Sequence, residues 1–227
     1  MYAIETTDLT KRYESTTAVE GLDLAIPEGV VYGFLGPNGA GKTTTMRMLT
    51  TLTNPTSGSA AIAGHSVATR DDVVDRIGYL PEEPPLYDEL TGREQLDYIA
   101  GLRDIPADRS EERIGSLLDR FDLTADADDR ISTYSKGMKR KTGIIQALLH
   151  DPEVVFLDEP TSGLDPRAAR TVRNTIAELV AGDTTVFLAE GPPDALTERM
   201  ETGEESTLED VFLAVTGGRE DAAPEYE

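Results

Sequence analysis

The sequence contains no cysteine and no apolar run long enough to cross a bilayer. Without cysteine the chain forms neither a disulfide framework nor a thiolate metal site. No stretch approaches 18 consecutive apolar residues, so no transmembrane helix is predicted. Residues 1–15 lack the basic start and the apolar run of a signal peptide. These absences predict a cytoplasmic protein whose role at a membrane, if it has one, comes through a partner.

Basic residues are also scarce, since 43 acidic residues outnumber 21 basic ones and the formal net charge is −22. Such a surface repels phosphate backbones and argues against general binding of nucleic acid. Lysine is rarer than arginine, with 5 against 16. An excess of carboxylates with few lysines resembles the proteins of salt-in halophiles and favours a halophilic archaeal source. The alternative is an unusually acidic mesophilic protein.

The 227 residues suit one α/β domain with at most a small appendage. Residues 2–35 alternate apolar and polar side chains between turn signals, which predicts short strands. Apolar residues recur three and four apart between about 88 and 149, which predicts an inserted helical subdomain. Further strands are predicted at Val30–Leu35, Ala60–Val67, Val154–Leu157 and Thr184–Leu188, and further helices at Thr43–Leu52 and Ala168–Val180. The pattern indicates a layered α/β core.

A glycine-rich segment between a predicted strand and a predicted helix fits the pattern G-x-x-x-x-G-K-[ST]. Its residues are Gly36, Pro37, Asn38, Gly39, Ala40, Gly41, Lys42 and Thr43, with Thr44 following. Glycines let backbone N–H groups wrap phosphates without Cβ clashes, and the helix N-terminus adds a favourable partial charge. Lys42 would supply charge to the transferring phosphoryl group, and the Thr43 hydroxyl would ligate Mg²⁺. The segment predicts ATP binding.

A second set of candidate residues follows the apolar run Val154–Leu157. Asp158 comes directly after it, at the carboxyl end of a predicted strand, where a carboxylate can hold Mg²⁺. Glu159 comes next and suits a general base for an attacking water. An apolar run followed by Asp-Glu is a weak signal alone, but it becomes a strong one together with the phosphate loop.

The chain resembles the nucleotide-binding subunits of ATP-binding cassette (ABC) transporters over about residues 2–188. The segment YSKGMKRK at Tyr134–Lys141 looks like a variant of the family signature LSGGQ, with Ser135 and Gly137 retained. The resemblance implies a P-loop NTPase of ABC type, with a mixed sheet core, an N-terminal antiparallel β subdomain and an inserted helical subdomain. It implies a homodimer that closes head to tail on ATP, with Ser135 and Gly137 contacting the γ-phosphate of the other subunit. It also implies an integral-membrane permease partner at the inner face of the membrane.

Three further features are interpreted through the same resemblance. Tyr13 lies where a family aromatic stacks on adenine, and Val19 where a neighbouring apolar contact is made. Glu82, in Gly78–Glu82, aligns with a loop glutamine that touches the Mg²⁺ site; a carboxylate there could ligate Mg²⁺ yet repel the γ-phosphate. Residues 207–217 (TLEDVFLAVTG) resemble the C-terminal segment of exporter-type ATPases. The ATP-binding domain is expected over residues 1–216, and the acidic tail 217–227 is expected to be disordered.

The sequence departs from the family after Thr184–Leu188, where a switch histidine is expected. The two histidines, His65 and His150, lie elsewhere, and direct alignment places Gly191 in that position. Residues 189–196 resemble a family segment that normally comes later. An internal deletion joining Leu188 to Ala189 would remove roughly 25 residues and a C-terminal strand and helix of the core. Simple divergence of this loop is the alternative.

Three functions remain open from the sequence. The first is an ATP-hydrolysing motor that drives a membrane permease, with an exporter favoured. The second is an ABC subunit that binds ATP and dimerises but hydrolyses it poorly, because the switch histidine is absent. The third is a soluble ABC protein of translation or DNA repair, which the single cassette and the net charge disfavour.

Overall fold

The computed structural model describes residues 1–190 of the chain. Gly191 in the switch position, the exporter-like segment 207–217 and the acidic tail 217–227 therefore lie outside the described residues. The strands are β1 Tyr2–Tyr13, β2 Thr16–Pro27, β3 Val31–Leu35, β4 Ser57–Ile62, β5 His65–Ser66, β6 Ile77–Leu80, β7 Val154–Asp158 and β8 Thr185–Glu190. The α-helices are α1 Lys42–Leu49, α2 Arg70–Val74, α3 Gly92–Leu102, α4 Ala107–Arg120, α5 Lys136–Leu148 and α6 Pro166–Ala181.

Two sheets form the framework. The first is antiparallel in the order β2-β1-β4-β5, and the second is parallel in the order β3-β8-β7-β6. Helices α3 to α5 lie between β6 and β7 in the chain, which gives the long crossover that parallel neighbours require. The carboxyl ends of all four parallel strands therefore meet at one edge of the second sheet.

The parallel sheet is buried on both faces. Along β7, Val155 and Leu157 belong to a core shared with the helices, whereas Val154 and Phe156 face a second core shared with the antiparallel sheet and α1. Phe187 of β8 anchors the second core, because its ring lies 5.3–5.5 Å from the rings of Tyr32, Phe34 and Phe156. This double burial explains why the strands appear in the sequence as continuous apolar runs.

Two predicted elements differ from the observed ones. The single strand predicted at Ala60–Val67 is wrong: the chain turns at Ala63 and Gly64, whose φ angles of 48° and 78° give a two-residue hairpin between β4 and β5. Residues Gly78–Leu80, assigned to a loop by alignment, lie in strand β6, and the loop begins at Pro81. A four-residue strand next to a proline offers little pattern to detect.

The end of the described chain bears on the predicted deletion. Strand β8 runs without interruption through Leu188 and Ala189, and it pairs with β3 on one side and β7 on the other. Within residues 1–190, β3 and β6 form the two edges of the parallel sheet. The arrangement is compatible with the deletion, which stays a prediction.

Candidate nucleotide-binding site

A cavity of about 360 Å³ lies at the carboxyl edge of the parallel sheet. It is lined by Ala18, Asn38, Gly39, Gly41, Lys42, Thr43, Thr44, Glu82, Asp158 and Glu159. These residues come from β2, the loop after β3, the first turn of α1, the loop after β6, and the end of β7 with the residue that follows it. A larger cavity of about 800 Å³ lies at the opposite edge, beside Val154 and Thr185, and has no glycine-rich loop. The chemistry that the sequence predicts is thus gathered in the smaller cavity.

The loop between β3 and α1 depends on glycine at position 41. Gly41 has φ +87°, and a Cβ at this position would lie 2.3 Å from the carbonyl oxygen of Ala18. An L-amino acid side chain would therefore be strained and would also collide with strand β2. Because Gly41 directly precedes α1, the free N–H groups of the helix start beside the cavity.

Lys42 is buried inside the loop. Its Nζ donates hydrogen bonds to the carbonyl oxygens of Gly36 (2.6 Å) and Pro37 (3.1 Å). The loop is closed by a hydrogen bond from Ala40 N to Pro37 O. A buried ammonium held only by neutral carbonyls is well suited to exchange them for the charged oxygens of a phosphate. Gly36, Pro37 and Ala40 thus shape the loop, whereas Lys42 reaches the cavity.

Oxygen atoms suited to Mg²⁺ meet on the opposite wall. The Thr43 hydroxyl donates to Asp158 Oδ2 at 3.1 Å, and Glu82 and Glu159 line the same cavity. Burial raises the pKa of Asp158, and the carboxylates of Glu159 and Glu82 act in the same direction, while the Thr43 hydrogen bond opposes them. Excess negative charge of this kind favours a cation. Hard oxygen ligands from a hydroxyl and one or two carboxylates match the way Mg²⁺ is bound beside phosphates.

The other predicted binding residues lie outside this cavity. Tyr13 ends β1 with its ring partly exposed and Lys11 Nζ 5.0 Å from the ring centroid. Val19 packs close to Gly41. Ser135 caps α5 by accepting a hydrogen bond from Met138 N at 3.2 Å, and Gly137 lies in the first turn of that helix. The structure therefore brings Val19 to the loop but leaves Tyr13, Ser135 and Gly137 away from the cavity of their own chain.

Two charged residues near the site were not predicted. Arg140 is 4% exposed and donates to the carbonyl oxygens of Pro81, Glu82, Asp158 and Glu159. The basic run from Lys136 to Lys141, taken alone, predicts a solvated helix face, and for Arg140 that prediction is wrong. Its spacing of four and eight residues from Ile144 and Leu148 was the signal for the buried face of α5. The second unpredicted charged residue is Glu190, which is buried at the end of β8. No sequence pattern indicated its burial.

Comparison with known proteins identifies the family. The sequence profile of the ABC transporter family matches residues 19–162. The chain is 46% identical over 188 residues to the daunorubicin/doxorubicin resistance ATP-binding protein DrrA of Streptomyces peucetius, covering 82% of this chain and 57% of DrrA. It is 44% identical over 184 residues to the phospholipid-transporting ATPase ABCA7 of Homo sapiens, covering 80% of this chain and 9% of ABCA7. The chain therefore belongs to the ABC transporter family.

Solved structures agree on the fold. An ATP-binding subunit of an ABC transporter superposes with a TM-score of 0.78 at 26% identity, covering 94% of this chain and 99% of that one. The protein cbiO1 of Clostridium perfringens, part of the transporter complex cbiONQ, gives a TM-score of 0.72 at 24% identity, covering 85% and 80%. The predicted P-loop NTPase fold of ABC type is confirmed. Among the helices of residues 1–190, none is both long and apolar enough to cross a membrane.

Replacing Gly41 with alanine should weaken ATP binding by about tenfold or more, because the added Cβ forces the loop away from Ala18. Titration calorimetry with ATP measures the change. Gly64→Ala is the matched control: Gly64 has φ +78°, but an added Cβ there meets no atom within 4 Å. Equal loss of ATP affinity in both variants would contradict the role given to the loop.

Proposed function

We propose that the chain binds ATP with Mg²⁺ and hydrolyses it as the motor subunit of an ABC transporter. The observation that carries the proposal is the convergence of Lys42, Thr43, Asp158 and Glu159 on one cavity beside a helix N-terminus. A phosphate-binding loop, a magnesium site and a candidate base are the parts that phosphoryl transfer to water requires. A nucleoside triphosphate with Mg²⁺ is a ligand class for which all of them have a use, and the family match favours ATP.

Each residue then has a role. Lys42 and the N–H groups of residues 39–44 bind the phosphates, and Thr43, Asp158 and Glu82 would hold Mg²⁺, which supplies charge neutralisation on the phosphates. Glu159 acts as general base. Its backbone is fixed on both sides, because Glu159 N donates to Ala189 O at 2.9 Å and its carbonyl oxygen accepts from Arg140. The carboxylate is thereby held at the wall of the cavity where water can be activated.

A second function is favoured by the position of the two histidines. His150 contacts Ile77 O at 2.9 Å, at the amino end of β6, and His65 lies in the hairpin strand β5. Neither lines the cavity, and the sequence contains no other histidine. Loss of one donor to developing phosphoryl charge costs about two to three orders of magnitude in rate. The alternative is therefore a subunit that binds ATP and dimerises but turns over slowly.

Hydrolysis through Glu159 predicts that Glu159→Gln lowers kcat by about 100-fold or more while ATP affinity is retained. The measurement is phosphate release by the purified chain at saturating ATP. Glu153→Gln is the control, since Glu153 precedes β7 at the opposite edge of the sheet and pairs with Arg76. Equal, near-zero rates in the wild type and in Glu159→Gln, with ATP still bound, would support the slow subunit instead.

The placement of the signature residues supports a homodimer. Ser135 and Gly137 lie at the start of α5 and do not line the cavity of their own chain. If they contact a nucleotide, as the family resemblance implies, they contact one bound to a second copy. We therefore propose a head-to-tail homodimer that forms on ATP, with Tyr13 and Val19 on the adenine side of each site.

The permease partner has a candidate docking surface beside Glu82. Tyr87, Tyr98 and Leu102 are exposed by 53%, 45% and 62%, and the two tyrosine rings meet edge to face at 5.6 Å. Exposed aromatic clusters of this kind mark protein interfaces. Tyr87 follows Glu82 by five residues, so a partner seated there would sense the nucleotide site. We propose that this surface binds an integral-membrane permease and holds the chain at the inner face of the membrane.

The names of the relatives, a resistance protein and a phospholipid transporter, favour an exporter, as does the segment 207–217.

Three further proposals concern the chain as a whole. We assign residues 1–216 to the ATP-binding domain, with its helical subdomain at about 88–149. The net charge of −22 supports a halophilic source. The resemblance of residues 189–196 to a family segment that normally comes later supports the deletion after Leu188.

The docking surface predicts that Tyr87→Ala combined with Tyr98→Ala abolishes co-purification with the membrane protein encoded by a neighbouring reading frame. The physical reason is the loss of the apolar contact area of both rings. The measurement is recovery of a tagged permease from detergent extracts. Tyr2→Ala removes a tyrosine of similar exposure, 46%, from β1 and should leave recovery unchanged. Unchanged recovery in the double variant would rule this surface out.

A further inference from the structure

We propose that Arg140 is a positioning residue that ties the loop bearing Glu82 to the turn bearing Glu159, so that the two move as one unit around the nucleotide. The proposal rests on the ATPase function proposed above. Arg140 itself does not line the cavity, so its effect on the reaction would pass through the two carboxylates.

The guanidinium spans two segments of chain. Arg140 Nη1 donates to Pro81 O at 2.9 Å and to Glu82 O, while Nη2 donates to Asp158 O at 2.7 Å and to Glu159 O. Each nitrogen thus serves one segment. The planar, fixed fork of arginine allows this division of donors, whereas a lysine ammonium presents a single point of charge.

These four carbonyl groups need a donor from outside the sheet. Strand β6 ends at Leu80 and β7 ends at Asp158, so the carbonyl groups beyond Leu80 and at the end of β7 are passing out of the ladder. Buried backbone carbonyl groups without a donor are costly. Arg140, which belongs to α5, donates hydrogen bonds to all four carbonyl groups. It thereby fixes the distance between two loops whose acidic residues, Glu82 and Glu159, are 77 positions apart in the sequence.

The backbone of Glu159 particularly depends on such support. Its φ of 47° lies in the left-handed region, which is unfavourable for a residue other than glycine. A conformation of this kind persists only where the surroundings hold it. The bonds from Glu159 N to Ala189 O and from Arg140 to Glu159 O provide that hold on either side of the residue.

Burial and charge explain why a cation occupies this position. Burial lowers the pKa of Arg140, and the nearby carboxylates of Asp158, Glu159, Glu82 and Glu190 oppose that shift. The guanidinium is therefore the positive centre of an acidic cluster. Without it, the buried carboxylates of Asp158 and Glu190 would lose a compensating positive charge, which would weaken the attachment of both loops.

Arg140 also fastens both loops to α5. A Cβ on Gly143 would lie 2.7 Å from Cβ and Cγ of Pro84, and one on Gly78 would lie 2.1 Å from the carbonyl oxygen of Ala147. The helix is therefore in close contact with β6 and with the loop that follows it. Because Ser135 begins the same helix, a movement at Ser135 would reach Glu82 and Glu159 together.

The test compares Arg140→Lys, which keeps the charge but loses the fork, with Arg113→Lys. Arg113 is a matched control: it also donates to a backbone carbonyl oxygen, that of Leu148, but it borders the opposite edge of the sheet. We expect Arg140→Lys to lower kcat by about 10- to 100-fold with ATP affinity nearly unchanged, since Glu159 is displaced while the phosphate loop is not. Arg113→Lys should change neither.

Amide hydrogen exchange separates this proposal from the ATPase function. In Arg140→Lys, peptides covering residues 78–86 and 156–164 should both exchange faster, even without nucleotide. Faster exchange in only one of them, or an unchanged kcat in an active enzyme, would overturn the proposal. A wild type that binds ATP without hydrolysing it counts against the ATPase function alone, and the exchange data still decide the role of Arg140.

If Arg140→Lys does not fold, amide hydrogen exchange of the wild type tests the same proposal. Without nucleotide, at denaturant concentrations below global unfolding, the two peptides should lose protection over the same range of concentration, because one side chain holds both segments. Two separate midpoints would show that the loops respond independently and would overturn the proposal.

Discussion

Parallel pairing of β7 with β6 on one side and β8 on the other places three strand ends next to one another, with β3 beyond β8. The phosphate loop leaves β3, Glu82 follows β6, and Asp158 ends β7. Residues that are more than 100 positions apart, such as Thr43 and Asp158, are thus brought to within 3.1 Å. The site is a consequence of strand order, and the loops need only supply the right residue types.

Buried charge is concentrated at the same edge. Among residues 1–190, the buried charged side chains are those of Lys42, Arg140, Asp158 and Glu190, and all four lie at or beside the carboxyl ends of the parallel strands. Burying charge is expensive unless it is compensated, so such a cluster is retained for function more readily than for stability. We propose different tasks for the two cations: Lys42 would bind the phosphates, and Arg140 holds the backbone of the two segments that carry Glu82 and Glu159.

The local parts of this site could be predicted from the sequence, and the tertiary parts could not. The phosphate loop and the run Val154–Glu159 are each a continuous stretch of sequence, and their residue types indicate their chemistry. Arg140 belongs to a run of basic residues that suggested a solvated surface, and only the packing of α5 against β6 reveals its burial. The short strand β6 and the hairpin turn at Ala63 and Gly64 were missed because four residues and one turn carry too little pattern.

One cavity is proposed to bind ATP together with Mg²⁺, through Lys42 and Asp158. The decisive measurement is titration of the purified chain with a non-hydrolysable ATP analogue, with Mg²⁺ and with the metal chelated. Removing Mg²⁺ should weaken binding, and Lys42→Ala should weaken it by about tenfold or more. Equal affinity in the wild type and Lys42→Ala, with no dependence on Mg²⁺, would show that the nucleotide is not bound in this way.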